Sequence, residues 1–455
     1  MSKIKRIFYS LALIPFLVIL LFFGWFFTIV FEGEKPIAGL DPLPEYLSGD
    51  QMFMLKVNDQ KRGLKTIKVS VRQEGREVKV LEKKFPFIGL LNRQGTHLYQ
   101  KGLKINPAAL NLAQGRVDLN VRVWDYSRRN GGDGNLTLFH HKMTVDTIPP
   151  SVRAISRMHN INEGGSGLAV YQSSSDTLES GLFVDDLFFR GFPTGTDLKK
   201  GYHVCYFALP HDSKAEPSLY LWARDKAGNI SKASFYYHII RKRFRKERMN
   251  ISDRFLERVL PYFSFYPLNS EDTPIKKYIQ INNELRKENN RTFRELGAKT
   301  IHEQRWEGPF LRLKNAATMA RFADQRLYYY KGEKVDEQTH MGVDLASLAN
   351  SPIQASNNGL VIFADRLGIY GSAVVLDHGQ GVASIYGHLS KISVTPDQEV
   401  KKGETIGYTG QTGLAGGDHL HFGIMVQGAF VNPIEWWDSH WIKDNISRKL
   451  EVLKE

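Results

Sequence analysis

The first hydrophobic pattern in the chain is an uncharged, mostly apolar run from Ile7 to Phe31. A helix rises roughly 1.5 Å per residue, so this run spans the roughly 30 Å core of a bilayer. Basic residues precede the run and glutamates follow it, which predicts a cytoplasmic tail (1–6), a single-pass anchor in the inner membrane (7–31) and a periplasmic or extracytoplasmic remainder. A cleaved signal peptide is the alternative, but the shorter apolar region and small-residue cleavage site that it needs are not found here.

Two later stretches alternate between apolar and polar positions, a pattern typical of strands with one buried face. The apolar positions are Ile67, Val69 and Val71, then Val117, Leu119, Val121 and Val123, and in the second stretch Leu219, Leu221 and Ala223. The stretches close on similar runs, Val-Trp-Asp and Trp-Ala-Arg-Asp, which form a weak internal repeat. We predict two β-sandwich modules, over residues 45–148 and 149–239.

The run Asp146-Thr147-Ile148-Pro149-Pro150 and the turn Asp225-Lys226-Ala227-Gly228-Asn229 resemble features of tandem bacterial immunoglobulin-like domains. A spacer that carries the C-terminal region away from the membrane is the simplest role for such modules. Binding of envelope proteins, or covering of an active groove, is the sharper alternative. Trp124 and Trp222 are expected to pack at strand ends rather than to bind glycans.

Residues 240–300 lose the alternation and begin with a basic run. Ser252 is a typical N-cap for a helix with apolar positions at helical spacing, which ends before Pro261. A second helical pattern begins at Thr273. We predict a helical linker, whose basic run faces solvent or meets anionic lipid head groups.

Short strands separated by glycines dominate residues 301–438, ahead of a C-terminal tail over 439–455. Imidazole and carboxylate groups concentrate there in three segments: His340-Met341-Gly342-Val343-Asp344, Tyr386-Gly387-His388-Leu389-Ser390 and His419-Leu420-His421-Phe422. His419 and His421 lie two apart on a predicted strand, so their side chains share a face. A catalytic zinc takes three nitrogen or oxygen ligands from the protein and keeps one position for water. The five groups fill such a site and leave two histidines for proton handling.

These segments, in this order, resemble the lysostaphin-type (LytM-like) zinc metallopeptidases of the bacterial cell wall, over roughly residues 305–438. The resemblance implies an antiparallel β catalytic domain with a narrow groove over Zn²⁺. It also implies a division of roles among five residues, with His340, Asp344 and His421 as the zinc ligands and His388 and His419 as the catalytic histidines.

The residues around this set are expected to complete the groove. Loops 366–372 and 412–418 are placed to wall it. Arg326, upstream of the first segment, is expected either to bind a substrate carboxylate or to form a surface ion pair. His378 matches no ligand position and is interpreted as a turn residue.

Composition narrows the function further. Over 455 residues the net charge is +13 and Cys205 is the single cysteine, so no internal disulfide can form. No recognition motif supports nucleic acid as a partner, whereas a basic surface suits anionic membranes or cell-wall polymers. The predicted fold class is mainly β: a transmembrane helix, two immunoglobulin-like sandwich modules, a helical linker and a C-terminal antiparallel β domain.

The complete ligand set predicts a membrane-anchored zinc endopeptidase, a cell-wall hydrolase that cuts peptide cross-links or stems of peptidoglycan. Members of the family with broken ligand sets act as activators. The alternative is therefore a non-catalytic cell-wall module that activates or scaffolds another hydrolase. Peptidoglycan, the inner membrane and envelope proteins that bind the β modules are the expected partners.

Overall fold

The computed structural model describes residues 3–195 and 200–453, with side chains of the first helix described from residue 13 onward. Residues 1–2 of the predicted cytoplasmic tail and 454–455 of the predicted C-terminal tail lie outside the described residues. Helix α1 is Lys3–Val30 and contains Pro15. Its stretch Leu13–Val30 has a mean hydropathy of 2.6 and is long and apolar enough to cross a membrane. The chain divides into two compact units, residues 1–149 with 226–229 and residues 150–225 with 230–455.

The first unit contains two sheets around one apolar core, with strand orders β1-β3-β6 and β2-β8-β7-β4-β5. Their bounds are β1 Ile37–Asp41, β2 Tyr46–Leu47, β3 Gln51–Asn58, β4 Leu64–Gln73, β5 Arg76–Lys84, β6 Leu98–Ile105, β7 Gly115–Asp125 and β8 Leu136–Val145. Every second residue of β7 is buried from Val117 to Asp125, as the alternation predicts.

The second unit begins with two four-stranded sheets, β14-β15-β11-β9 and β13-β12-β16-β17, and a parallel pair β10-β18. Their bounds are β9 Val152–Ala154, β10 His159–Asn162, β11 Ser166–Ser173, β12 Thr177–Val184, β13 Leu187–Arg190, β14 Phe192–Pro193, β15 Tyr202–Ala208, β16 Leu219–Asp225, β17 Ile230–Ala233 and β18 Tyr237–Ile240. The mainly β fold class is confirmed. The immunoglobulin-like topology of the two modules stays a prediction.

Next comes strand β19, Lys246–Ile251, and a run of helices. They are α2 Asp253–Val259, a 3₁₀ turn Leu260–Phe263, α3 Pro274–Gln280, a π turn Ile281–Leu285 and α4 Arg286–Ala298. The Ser252 hydroxyl accepts a hydrogen bond from the Phe255 amide, so the predicted N-cap is confirmed. We call residues 253–298 the helical segment. Part of the predicted basic linker is in fact strand, because β19 pairs in parallel with β21.

The C-terminal domain is built on a long sheet of order β20-β23-β31-β27-β26-β25-β29, with β32 paired to β31. Two further sheets have three strands each, in the orders β24-β30-β28 and β19-β21-β22. The strand bounds are β20 Ala317–Ala320, β21 Gln325–Tyr330, β22 Glu333–Thr339, β23 Val343–Ala346, β24 Pro352–Gln354, β25 Gly359–Arg366, β26 Ser372–Asp377, β27 Val382–Leu389, β28 Lys391–Ile392, β29 Glu399–Val400, β30 Thr405–Tyr408, β31 Leu420–Val426 and β32 Ala429–Val431.

Short helices end the chain: α5 Pro433–Trp437, α6 Ser439–Ile442, a π turn Lys443–Ser447, α7 Arg448–Leu450 and a 3₁₀ turn Glu451–Leu453. The second β module and the C-terminal domain share one apolar core. Trp306 and Trp436 meet at 5.3 Å between ring centroids, and Tyr206 of β15 packs on both. The side chains that position the site therefore stand on a large, continuous scaffold.

Candidate metal centre

The three predicted ligands converge because of strand pairing. Asp344 on β23 lies directly opposite His421 on the antiparallel strand β31. His340 precedes β23 and its Nε2 lies 2.9 Å from Asp344 Oδ1. His421 Nδ1 lies 3.0 Å from His340 Nε2 and 3.0 Å from the same carboxylate oxygen. Two imidazole nitrogens and one carboxylate oxygen thus surround one point, and all three residues are buried.

Backbone contacts fix the orientation of these side chains. Arg321 O lies 3.0 Å from His340 Nδ1, which donates to it and leaves the Nε2 lone pair facing Asp344. Gly342 allows the strands to approach, since a Cβ there would stand 2.6 Å from Phe422 O and 2.7 Å from His421 Nε2. A side chain at position 342 would therefore push His421 out of the set.

The two remaining histidines lie beside this set. His388, on β27, and His419 have ring centroids 4.8 Å apart. His388 Nδ1 lies 2.8 Å from Thr412 O, and His419 Nδ1 lies 2.8 Å from Gly417 O. Each ring donates through Nδ1 and presents Nε2 as the free nitrogen. His419 Nε2 is 3.7 Å from Asp344 Oδ1, so the predicted common face of His419 and His421 is confirmed.

The charge state of the set suits a cation. Burial alone would raise the pKa of Asp344, but His340, His421 and Arg326 together hold it well below the ordinary value. Burial lowers the pKa of His421 to about 4. Burial, with the neighbouring charges of His419 and His421, holds the pKa of His388 well below its ordinary value. At neutral pH the Asp344 carboxyl is therefore ionised, and the His421 and His388 imidazoles are neutral. An ionised carboxylate and a neutral imidazole are the forms that ligate a metal.

One of the two roles expected for Arg326, a surface ion pair, is wrong. Its side chain is 16% exposed, and Nη2 donates to Asp344 Oδ2 at 2.7 Å. The pair with Asp344 is largely buried, whereas binding of a substrate carboxylate by Arg326, which lines the cavity over the ligand set, stays a prediction. The Arg326 Nε has no hydrogen-bond partner among the described residues, and Glu247 Oε2 lies 3.7 Å from it. Arg326 therefore holds the outer oxygen of Asp344 while the inner oxygen faces the histidines.

A cavity of about 370 Å³ opens over these groups. Ile369 and Tyr370 from one predicted loop and Leu414, Gly416 and Asp418 from the other line it, so the prediction that these loops wall the groove is confirmed. The Oδ1 atom of Asp418 is buried and has no hydrogen-bond partner among the described residues.

Another part of the cavity wall was not predicted. Glu247 and Met249 of β19 and Phe255, Tyr278 and Arg286 of the helical segment line the same cavity. Arg258 Nη2 also donates to Gly416 O at 2.8 Å, which ties α2 to the loop that carries the site. Helical periodicity shows which face of these helices is apolar but not which partner that face meets, so the sequence carries no signal for this wall.

His378, the histidine interpreted as a turn residue, is not part of the centre. His378 is fully buried, with Nδ1 2.6 Å from Asn358 O and Nε2 2.7 Å from Ser384 Oγ. It follows β26 at a turn, as interpreted, and its bonds fix that turn. Trp124 and Trp222 are half-buried and are approached by Lys68 and Arg224 respectively. Trp124 lies next to the end of β7, as predicted, whereas Trp222 lies in the middle of β16.

Residues 338–433 match the family model described as peptidase family M23. The C-terminal domain is a family M23 peptidase domain. Over 95 residues the chain is 41% identical to the DD-carboxypeptidase/endopeptidase Mpg of Neisseria meningitidis serogroup B, a match that covers 21% of this chain and 22% of that protein. Over 96 residues it is 38% identical to the peptidoglycan DD-endopeptidase ShyA of Vibrio cholerae, covering 21% and 22%.

A third relative has a different activity in its name. The chain is 34% identical over 110 residues to the murein hydrolase activator EnvC of Escherichia coli, covering 24% of this chain and 26% of that protein. The chain thus spans about a fifth to a quarter of the length of these curated relatives.

The donor set fits a zinc ion. Zinc in catalytic sites binds imidazole nitrogen and carboxylate oxygen at roughly 2.0–2.2 Å, and tetrahedral ligands at that distance stand roughly 3.3–3.6 Å apart. The three donor pairs here are separated by 2.9–3.0 Å, close to that spacing. The set contains no thiolate, which favours a catalytic over a structural metal.

Proposed function

We propose that the chain is a membrane-anchored zinc endopeptidase that hydrolyses peptide bonds of peptidoglycan. The observation that carries the proposal is the convergence of His340, Asp344 and His421 on one point, with His388 and His419 beside it under one cavity. The M23 domain and its relatives named as DD-endopeptidases support the reaction and the substrate. Helix α1 supports the anchor. The basic residues before it support a placement of the bulk of the chain outside the cytoplasm.

In this proposal His340, Asp344 and His421 hold zinc, which supplies Lewis acidity to water and to the scissile carbonyl. Nε2 of His388 or His419 accepts the proton of the attacking water and later delivers a proton to the leaving amine. The hydrogen bonds from His388 Nδ1 to Thr412 O and from His419 Nδ1 to Gly417 O leave both Nε2 atoms available for this role.

The alternative is an activator without hydrolase activity of its own, which the likeness to EnvC suggests. An activator has no need for a full ligand set or for two oriented, non-ligand histidines. The complete set in this chain favours the peptidase.

The test uses the purified ectodomain, purified peptidoglycan sacculi and zinc. We expect release of new amino groups from the sacculi, with metal bound in a one-to-one ratio. The variant His388→Ala should bind zinc normally and lose activity by about 10² to 10⁴-fold, because a proton-transfer group is gone. Asp344→Asn should lose the metal as well. Zinc binding with no cleavage of any sacculus would support the activator instead.

A further inference from the structure

The part of the cavity wall that the helical segment forms contains an arginine, Arg286, whose partners differ from those of the nearby arginines. Arg286 is the first residue of α4 and lines the cavity together with His340, His388 and His421. The nearby arginines Arg326 and Arg245 each have a carboxylate partner, at 2.7 and 2.6 Å. Arg286 has none within ion-pair distance among residues 3–195 and 200–453.

The guanidinium of Arg286 is nevertheless held firmly. Its Nη2 donates to Asn282 Oδ1 at 2.5 Å, and its Nε donates to Asn282 O at 3.1 Å. Asn282 is fully buried, and its amide donates to Asp336 Oδ2 on β22 at 2.6 Å. A buried amide anchored on a carboxylate thus fixes one edge of the guanidinium, while Nη1 makes no hydrogen bond to the described residues.

A fixed, unpaired guanidinium that faces a cavity is suited to an anion, and its planar fork matches a carboxylate. Most of the ordering cost of the side chain has been met before the ligand arrives, which favours binding. A peptide bond whose amine side bears a free carboxylate, as in D-alanyl cross-links and D-alanyl termini, places such a group next to the reacting atoms.

We infer that Arg286 binds a free carboxylate of the peptide substrate on the amine side of the scissile bond. The inference rests on the proposed function for the identity of the substrate. It assigns the helical segment, which lies outside the M23 domain, a direct part in substrate selection. Arg286 is a specificity residue in this account and takes no part in proton transfer.

The test measures binding separately from cleavage. The zinc-loaded His388→Ala ectodomain is titrated with a cross-linked muropeptide dimer in native form, and with the same dimer after its carboxylates have been converted to amides. We expect the amidated dimer to bind about tenfold more weakly or worse, since a hydrogen-bonded charge pair is lost. When Arg286→Gln is added, the native dimer should weaken to the same level and the difference between the dimers should disappear.

Two further variants make the outcome specific. Arg286→Lys keeps the charge but not the fork and should restore part of the preference. Arg291→Gln lies on the same helix, with a 70% exposed side chain paired to Glu295, and should leave the preference unchanged. An equal preference with and without Arg286, or no binding of the native dimer, would overturn the inference. If His388→Ala shows the preference but the wild-type ectodomain cleaves no dimer, the proposed endopeptidase fails and the carboxylate site stands.

Discussion

At the scale of single residues, the most consequential contact outside the ligand set is the ion pair between Arg326 and Asp344. The carboxylate has two oxygens, and Arg326 holds one of them while the other faces His340 and His421. Outer partners of this kind orient a metal ligand, and their loss typically weakens metal binding by about 10- to 100-fold. Arg326 is a positioning residue, because it acts on the centre through Asp344.

We predict that Arg326→Met lowers zinc affinity by about 10- to 100-fold, since the outer oxygen of Asp344 loses its anchor. Arg326→Lys should lose less, because it keeps the charge. Competition with a chelator of known affinity measures the change, and thermal unfolding of each zinc-free protein checks that the fold is intact. Arg291→Gln is the control and should match the wild type. Unchanged zinc affinity in folded Arg326→Met would show that Asp344 is oriented by its strand alone.

Sequence reasoning reached the five central residues because their types and spacing are set by chemistry. It also placed His419 and His421 on one face, since strand alternation is a local property. It did not reach the partner of Arg326, because nothing local to β21 shows that Asp344 on β23 will lie beside it. The fixed guanidinium of Arg286 was missed for the same reason, as its support comes from β22.

At the scale of elements, the helical segment is a wall of the cavity rather than a free connection. Helix α4 places Phe293, which is fully buried, against Tyr370 at 4.7 Å and Phe430 at 6.5 Å between ring centroids. Asn289 Oδ1 accepts the Ile369 amide at 2.8 Å, next to that aromatic contact. Periodicity correctly predicted helices here, but the packing partners Tyr370 and Phe430 lie more than seventy residues further along the chain.

We predict that Phe293→Ala destabilises the second unit by about 3–5 kcal/mol, because a buried aromatic side chain leaves a cavity between α4 and the M23 sheet. Denaturant unfolding of the ectodomain measures the effect. The matched control is Phe265→Ala, whose side chain is 66% exposed, and its effect should stay within about 0.5 kcal/mol. Equal stability of the two variants would mean that α4 is not packed on the sheet in solution.

At the scale of the molecule, a buried carboxyl joins the second β module to the C-terminal domain within the second unit. Glu435, on α5, accepts hydrogen bonds from Asn162 Nδ2 at 2.7 Å and from the Ser166 amide at 2.8 Å. Burial outweighs these donors and raises the pKa of Glu435 from 4.5 to about 7. In the unfolded chain the same carboxyl ionises near its ordinary value, so folding is linked to its protonation.

The sign of the linkage follows from the raised pKa. Below about pH 4.5 both states hold the proton, whereas between 4.5 and 7 the unfolded chain releases it first, so the contribution of Glu435 to stability falls as pH rises. Above 7 the loss is complete, at about 3 kcal/mol. His159, with its pKa lowered to about 4, has the opposite trend, and Lys449, lowered to about 8, titrates outside this window. Both groups are present in the wild type and in a Glu435 variant, so their contributions cancel when the two proteins are compared at the same pH.

We therefore predict that Glu435→Gln and the wild type are similarly stable at pH 5, while the variant is more stable at pH 8 by about 3 kcal/mol. The amide keeps the shape of the side chain and carries no charge to bury, whereas the wild-type carboxyl must ionise in place. Urea unfolding of both proteins at the two pH values, followed by tryptophan fluorescence, measures the difference. A stability difference that stays the same from pH 5 to pH 8 would show that Glu435 is ionised throughout, with its hydrogen-bond donors strong enough to offset burial.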